Sequence, residues 1–187
     1  DDGDMDIVAS AKTETADLLY YINNGSQVFT KFKRNIEVVG ESSKTVYVAD
    51  MDNDGDKDIV YLSISGNGYV AIAKNDGGLS FSAPWGMYVV DIDNDTDLDI
   101  IVGTSNGVTN TDIISWYQND GTGSFTEQSI TTSANSVRSI FAIDIDGDND
   151  MDLLSTSFDN NTVSWWQNDG NQIFTKIDVD TDANGAQ

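Results

Sequence analysis

Three stretches place aspartate at every second position five times running: "DMDNDGDKDI" (50–59), "DIDNDTDLDI" (91–100) and "DIDGDNDMDL" (144–153). Carboxylates at this spacing suit the capture of a hard cation. Ca²⁺ takes about six to eight oxygens at short range, and a tightly turning loop can supply several of them from alternate positions. Counting the first aspartate as position 1, carboxylates at 1, 3, 5 and 9 and a backbone carbonyl at 7 can wrap one ion. Position 6 must turn sharply, which Gly does at no steric cost. The first of these stretches offers Asp50, Asp52, Asp54 and Asp58, with the carbonyl of Asp56 and with Gly55 at the bend. The second offers Asp91, Asp93, Asp95, Asp99 and the Asp97 carbonyl; the third offers Asp144, Asp146, Asp148, Asp152 and the Asp150 carbonyl. A shorter copy, "DDGDMDI" at 1–7, keeps Asp2 and Asp6 and the carbonyl of Asp4, so its site is partial.

The loops are not EF-hands. Position 12, where an EF-hand carries its bidentate Glu, holds Tyr61, Val102 and Ser155, and the flanks read as strands. At the bend, Thr96 and Asn149 stand in place of Gly. Asn tolerates the left-handed region and β-branched Thr tolerates it poorly, which makes the 91–99 site the weakest or most distorted of the three complete ones. Four converging carboxylates with no cation would repel, costing stability or raising their pKa values. Three bound divalent ions would move the formal charge from −23 to −17 and link folding to metal.

Composition narrows the partners. Nineteen of the 32 acidic residues lie in the four aspartate stretches, so the charge elsewhere is unexceptional. A net charge of −23 with no visible basic face excludes nucleic acid and anionic membrane surfaces, which need Lys and Arg. The chain has neither Cys nor His, which removes disulfides, soft-metal sites, thiol nucleophiles and the commonest general base. No apolar run approaches the roughly 18–20 residues of a membrane-inserted helix, and no signal peptide is seen in a chain that starts in mid-loop.

The elements that must hold these loops repeat with them. The last aspartates, Asp6, Asp58, Asp99 and Asp152, are 52, 41 and 53 residues apart. A second landmark follows each loop: "NNGSQVF" (23–29), "NDGGLSF" (75–81), "NDGTGSF" (119–125) and "NDGNQIF" (168–174), with Phe four positions after Gly. In the last copy "SVRSIFAI", "LLSTSF", "TVSWWQ" and "IFTKIDV" read as four short strands, with the Asn168-Asp169-Gly170 turn expected to be a tight hairpin. Four-stranded sheets at this period, each with an apolar face it cannot bury alone, stack as propeller blades. The expected fold is therefore all-β, a single β-propeller segment over 1–187. It has about four four-stranded blades, with repeats near 1–40 (partial), 41–84, 85–134 and 135–182, and 183–187 begins another. Phe81 to Asp91 spans only 10 residues, so either the second blade has lost its outermost strand or residues are missing around "SAPWG". The out-of-phase ends suggest part of a larger propeller or a strand supplied by a partner chain. The adjacent pairs Tyr20-Tyr21, Ile72-Ala73, Trp116-Tyr117 and Trp165-Trp166 would point to opposite faces, packing between blades or stacking a sugar outward.

With "DIDGDNDMDLL", "WWQNDG" and the trailing "IFTK" together, the chain resembles the FG-GAP/VCBS repeat family of calcium-binding β-propeller blades, with the VCBS branch the closer likeness. The resemblance implies Ca²⁺ bound by the loop aspartates between the first two strands of a blade. It further suggests a non-catalytic calcium-binding module of a secreted or cell-surface protein, serving adhesion or binding an extracellular glycan or protein. Extracellular calcium fills sites as weak as roughly 10⁻⁴–10⁻³ M, and Trp85, Trp116 and Trp166 are candidate anchors for a ligand. One alternative is the propeller domain of a secreted carbohydrate-active enzyme of lyase or dehydratase type. Another is a filament or spacer subunit completed by strand addition. Catalysis within this segment is disfavoured, because no base and electrophile converge and the carboxylates are assigned to metal.

Overall fold

The computed structural model describes residues 5–11, 17–35, 43–55, 57–63, 69–73, 84–104, 113–131 and 134–185. Among these, every regular element is a strand, and the strands form four antiparallel meanders in chain order. The first sheet is β1 (Ile7–Ala11), β2 (Asp17–Asn23) and β3 (Phe29–Asn35). The second is β4 (Ser43–Ala49), β5 (Asp58–Ser63) and β6 (Tyr69–Ala73). The third is β7 (Pro84–Val90), β8 (Asp99–Thr104), β9 (Ile114–Asn119) and β10 (Phe125–Thr131). The fourth is β11 (Val137–Ile143), β12 (Asp152–Ser157), β13 (Thr162–Asn168) and β14 (Phe174–Asp180). In the last sheet every strand falls within one residue of where the sequence places it.

The second sheet has three described strands. In the other sheets the Phe after the Asn-Asp/Asn-Gly turn opens the outermost strand, as Phe29, Phe125 and Phe174 do. Phe81, the equivalent residue, lies outside the described residues, three positions before Pro84, where the next sheet's first strand begins.

Each sheet packs on its neighbour through the strand that precedes the aspartate loop: β4 on β1, β7 on β5, and β11 on both β7 and β8. Two apolar clusters fill the gaps. Met51, Val60, Leu62, Met87, Ile100 and Val102 lie between the second and third sheets. Ile92, Ile101, Ile114, Trp116, Val137, Leu153 and Trp166 are among those between the third and fourth. The approach is close enough that a Cβ on Gly86 would stand 3.0 Å from the Ile140 backbone nitrogen.

The aromatic pairs resolve into these clusters. Trp116 and Trp166 are both buried in the gap between the third and fourth sheets, one from each side, while Tyr117 faces the second sheet. Alternation along a strand requires this, since adjacent residues point to opposite faces. Side chains of Tyr20, Ile72 and Ala73 lie outside the described set.

Two features recur in the first strands. A register shift falls six residues before the aspartate loop in β4, β7 and β11, at Lys44, Trp85 and Arg138. Such a bulge re-aims the extra side chain. In the last two sheets it stacks the Arg138 guanidinium 3.9 Å over Trp85, with Phe158 on the same cation at 4.9 Å. Three residues before the loop stand Tyr47, Tyr88 and Phe141. Their rings meet edge to face at 5.9 Å and 4.7 Å, forming an aromatic row across three neighbouring sheets.

Candidate metal centres

A meander places the turn after its first strand and the turn after its third at the same end. The aspartate loop therefore sits beside the Asn-Asp-Gly turn, and position 9 joins them. Asp99 is fully buried; its Oδ2 accepts the amide of Ile92 at 3.1 Å and its Oδ1 the amide of Asn119 at 2.8 Å. Asp152 repeats this with Ile145 at 3.1 Å and Asn168 at 2.8 Å. Asp58 takes the Met51 amide at 2.9 Å, and Asp6 takes that of Asn23 at 2.8 Å. In the third and fourth sheets one carboxylate thus closes the loop on itself and ties it to the third strand, while Asp58 makes the loop contact and Asp6 the tie to the end of β2.

Position 1 shapes the bend from inside. Asp91 accepts the amides of Asp95 at 3.1 Å and Thr96 at 2.9 Å; Asp144 accepts those of Gly147 at 2.7 Å and Asn149 at 3.0 Å; Asp50 accepts that of Gly55 at 3.1 Å. Two residues per loop take the left-handed conformation, not only the position-6 bend that the sequence indicates. Gly55, Thr96 and Asn149 at position 6 have φ of 94°, 81° and 74°, and Asn53, Asn94 and Gly147 at position 4 have 57°, 61° and 81°. Thr96 carries the strain expected of a β-branched side chain there. Position 3 is aimed from the third strand: Gln118 donates to Asp93 at 2.7 Å and Gln167 to Asp146 at 2.6 Å.

These constraints bring together Asp50, Asp52 and Asp58; Asp91, Asp93 and Asp99; and Asp144, Asp146 and Asp152. Within each triad the nearest carboxylate oxygens all lie within 4.8 Å of one another. Positions 1, 3 and 9 therefore converge in all three complete loops. Position 5 lies outside the triads: Asp54, Asp95 and Asp148 are exposed, and Asp95 and Asp148 accept the amides of Asp97 and Asp150, each at 2.9 Å. The side chains of Asp97 and Asp150 reach toward the preceding loop, taking Asn53 at 2.7 Å and Asn94 at 3.4 Å. Asp2, Asp4 and Asp56 fall outside the described residues.

The triads suit a hard divalent cation. Every donor is a carboxylate oxygen. Asp50 Oδ1 and Asp93 Oδ1 are buried oxygens with no hydrogen-bond donor among the described residues, an arrangement that costs free energy unless a cation completes it. Burial, partly offset by the Asn119 and Ile92 amides, pushes the Asp99 carboxyl up to about 7. Burial also raises Asp93, with the nearby charge of Asp95 next in effect. A positive charge beside them would favour the ionised form of both carboxyls. These features are compatible with calcium.

The Asn-Asp-Gly turn differs from the tight hairpin its sequence suggests. It is a five-residue loop between Asn119 and Phe125 in the third sheet and between Asn168 and Phe174 in the fourth. Asn is a buried node and does not itself take positive φ; Gly121 and Gly123 do so in the third sheet, and Gly170 and Gln172 in the fourth. Asn119 Oδ1 accepts the amides of Gly121 and Gly123, each at 3.2 Å, and its Nδ2 donates to Leu98 O at 3.0 Å and across the sheet gap to Met51 O at 2.7 Å. Asn168 likewise holds Gly170, Gln172 and Met151. The sequence did repeat a signal for these residues, since Gln-Asn precedes Asp-Gly in both turns, but turn propensity alone gave Asn no wider role.

Stacked antiparallel meanders with acidic loops at one end define a repeat protein of the propeller-blade class. The family model described as FG-GAP-like repeat matches residues 1–61, 50–102 and 91–155. The chain belongs to the FG-GAP-like repeat family. Among curated proteins none is significantly similar to it.

Proposed function

We propose that this chain is a calcium-binding, non-catalytic repeat module of a secreted or cell-surface protein, in which bound ions stiffen a surface that holds a glycan or protein. The observation that carries the reading is the convergence of positions 1, 3 and 9 in three loops at one register. An environment rich in calcium suits acidic loops of this kind, which extracellular fluid supplies and cytosol does not. Of the three candidate anchors, Trp116 and Trp166 are buried between sheets and cannot meet a ligand. Trp85 is half-buried against Arg138 and remains the candidate.

Equilibrium dialysis against millimolar calcium is expected to give three ions per chain, and none or one would defeat the metal reading. A glycan array in calcium-containing buffer tests the ligand class; no signal would leave a protein as the partner.

A second reading, association with further blades of its own propeller or of a partner chain, is favoured by the outer face of the fourth sheet. Ile145 is 41% exposed, whereas Met51 and Ile92 at the same loop position are 0% and 1% exposed inside a gap between sheets. Val179 is exposed where Ile130 packs into the core. That face has the side chains of an inter-blade gap.

A further inference from the structure

The four-residue grammar of each loop leaves position 4 without a role in gathering carboxylates, yet in two loops it is Asn in a left-handed conformation. Asn53 lies between the position-3 and position-5 aspartates of one loop, and its Nδ2 donates to the Asp97 carboxylate of the next loop at 2.7 Å and to Gly121 O at 3.5 Å. Asn94 repeats the reach in the same register, to Asp150 at 3.4 Å and Asn149 O at 3.5 Å. The receiving carboxylate is held from behind. A Cβ on Gly121 or Gly170 would lie 2.5 Å from Asp97 Oδ2 or Asp150 Oδ2, so only Gly leaves room for it.

The receiving residue is also part of its own loop. The amide of Asp97 donates to Asp95, and that of Asp150 to Asp148. A change in either loop's geometry therefore moves a hydrogen bond that the other loop shares. We propose that Asn53 and Asn94 are positioning residues that couple neighbouring cation sites, so that filling one loop raises the affinity of the next. This rests on the calcium reading above. The 2.7 Å link makes coupling between the 50–58 and 91–99 loops stronger than between the 91–99 and 144–152 loops, where the link is 3.4 Å. The 144–152 loop has Gly147 at position 4 and still gathers its triad, so the amide is not needed to build a site.

That natural Gly supplies the test variant. Asn53→Gly keeps the left-handed backbone and removes only the donor. In the full chain, stripped of metal and titrated with calcium chloride, the backbone amide signals of Gly55, Thr96 and Asn149 report each loop separately. Disabling the middle site with Asp93→Asn should move the Gly55 midpoint to higher calcium by about fivefold or more, the lower end of ordinary site–site coupling. In the Asn53→Gly background the same disabling should leave that midpoint within about twofold of its starting value. A Gly55 midpoint indifferent to Asp93→Asn in the parent chain would overturn the coupling, as would a shift that persists without the Asn53 amide. Loop amides that ignore millimolar calcium altogether would instead overturn the metal reading beneath it, a distinguishable failure.

Discussion

Thr96 concentrates the local cost of the design in one residue. A β-branched side chain at φ 81° occupies a conformation that Gly takes freely at the equivalent Gly55. Thr96→Gly should raise stability by about 0.5–1.5 kcal/mol, since relief of strain exceeds the added freedom of the unfolded chain; urea denaturation showing a loss would contradict the strain. Asp99 carries the electrostatic cost. Its folded carboxyl sits at about 7 against an ordinary 3.8, mainly through burial. A raised folded value means the folded state holds the proton more tightly. In chelator its contribution is therefore fully present below about pH 4 and is lost as pH rises through about 7. Calcium requires the ionised form, so affinity should rise across the same window. Melting curves at pH 5 and pH 8, with chelator and with calcium, should diverge in opposite directions; parallel curves would argue against Asp99 as a ligand. The convergence of positions 1, 3 and 9 was legible in the alternation, but position 5, which the alternation placed beside them, lies outside the triads. The side-chain roles of positions 4 and 7 were not legible, since they depend on the neighbouring loop.

At the scale of the element, the strands were written plainly. Alternating apolar residues between turn signals placed β11 to β14 within one residue, whereas the short Phe81–Asp91 interval begins on residues outside the described set. What pattern reading could not supply was which turn meets which loop, because that follows from the meander's parity. The Asn-Asp-Gly turn was read as backbone chemistry, whereas Asn168, 1% exposed, is a hub for two turn amides and the Met151 carbonyl. Asn168→Ala strands these buried groups and should cost about 2–3 kcal/mol. A chemical denaturation midpoint that stays within error of the parent would refute the hub. The recurrent bulge was equally invisible, since Lys44, Trp85 and Arg138 share a position and no chemical type.

For the whole molecule, the balance is between apolar gaps and self-repulsion. Two buried clusters bind the second, third and fourth sheets face to face, while a formal charge of −23 works against compactness. Much of that charge faces one end, where the three triads lie. The loops on either side of a gap are tied across it by Asn53, Asn94 and Asn119, so cations bound there would neutralise charge where the sheets are joined. The blade architecture was legible from the repeat period, while the aromatic row of Tyr47, Tyr88 and Phe141 was not, because it exists only once neighbouring strands are stacked. The most direct measurement is the melting temperature in chelator and in about 10 mM calcium at matched ionic strength. For three sites of roughly 10⁻⁴–10⁻³ M, mass action predicts a rise of about 10 °C or more. An unchanged melting temperature would contradict the claim that cations gather these aspartates.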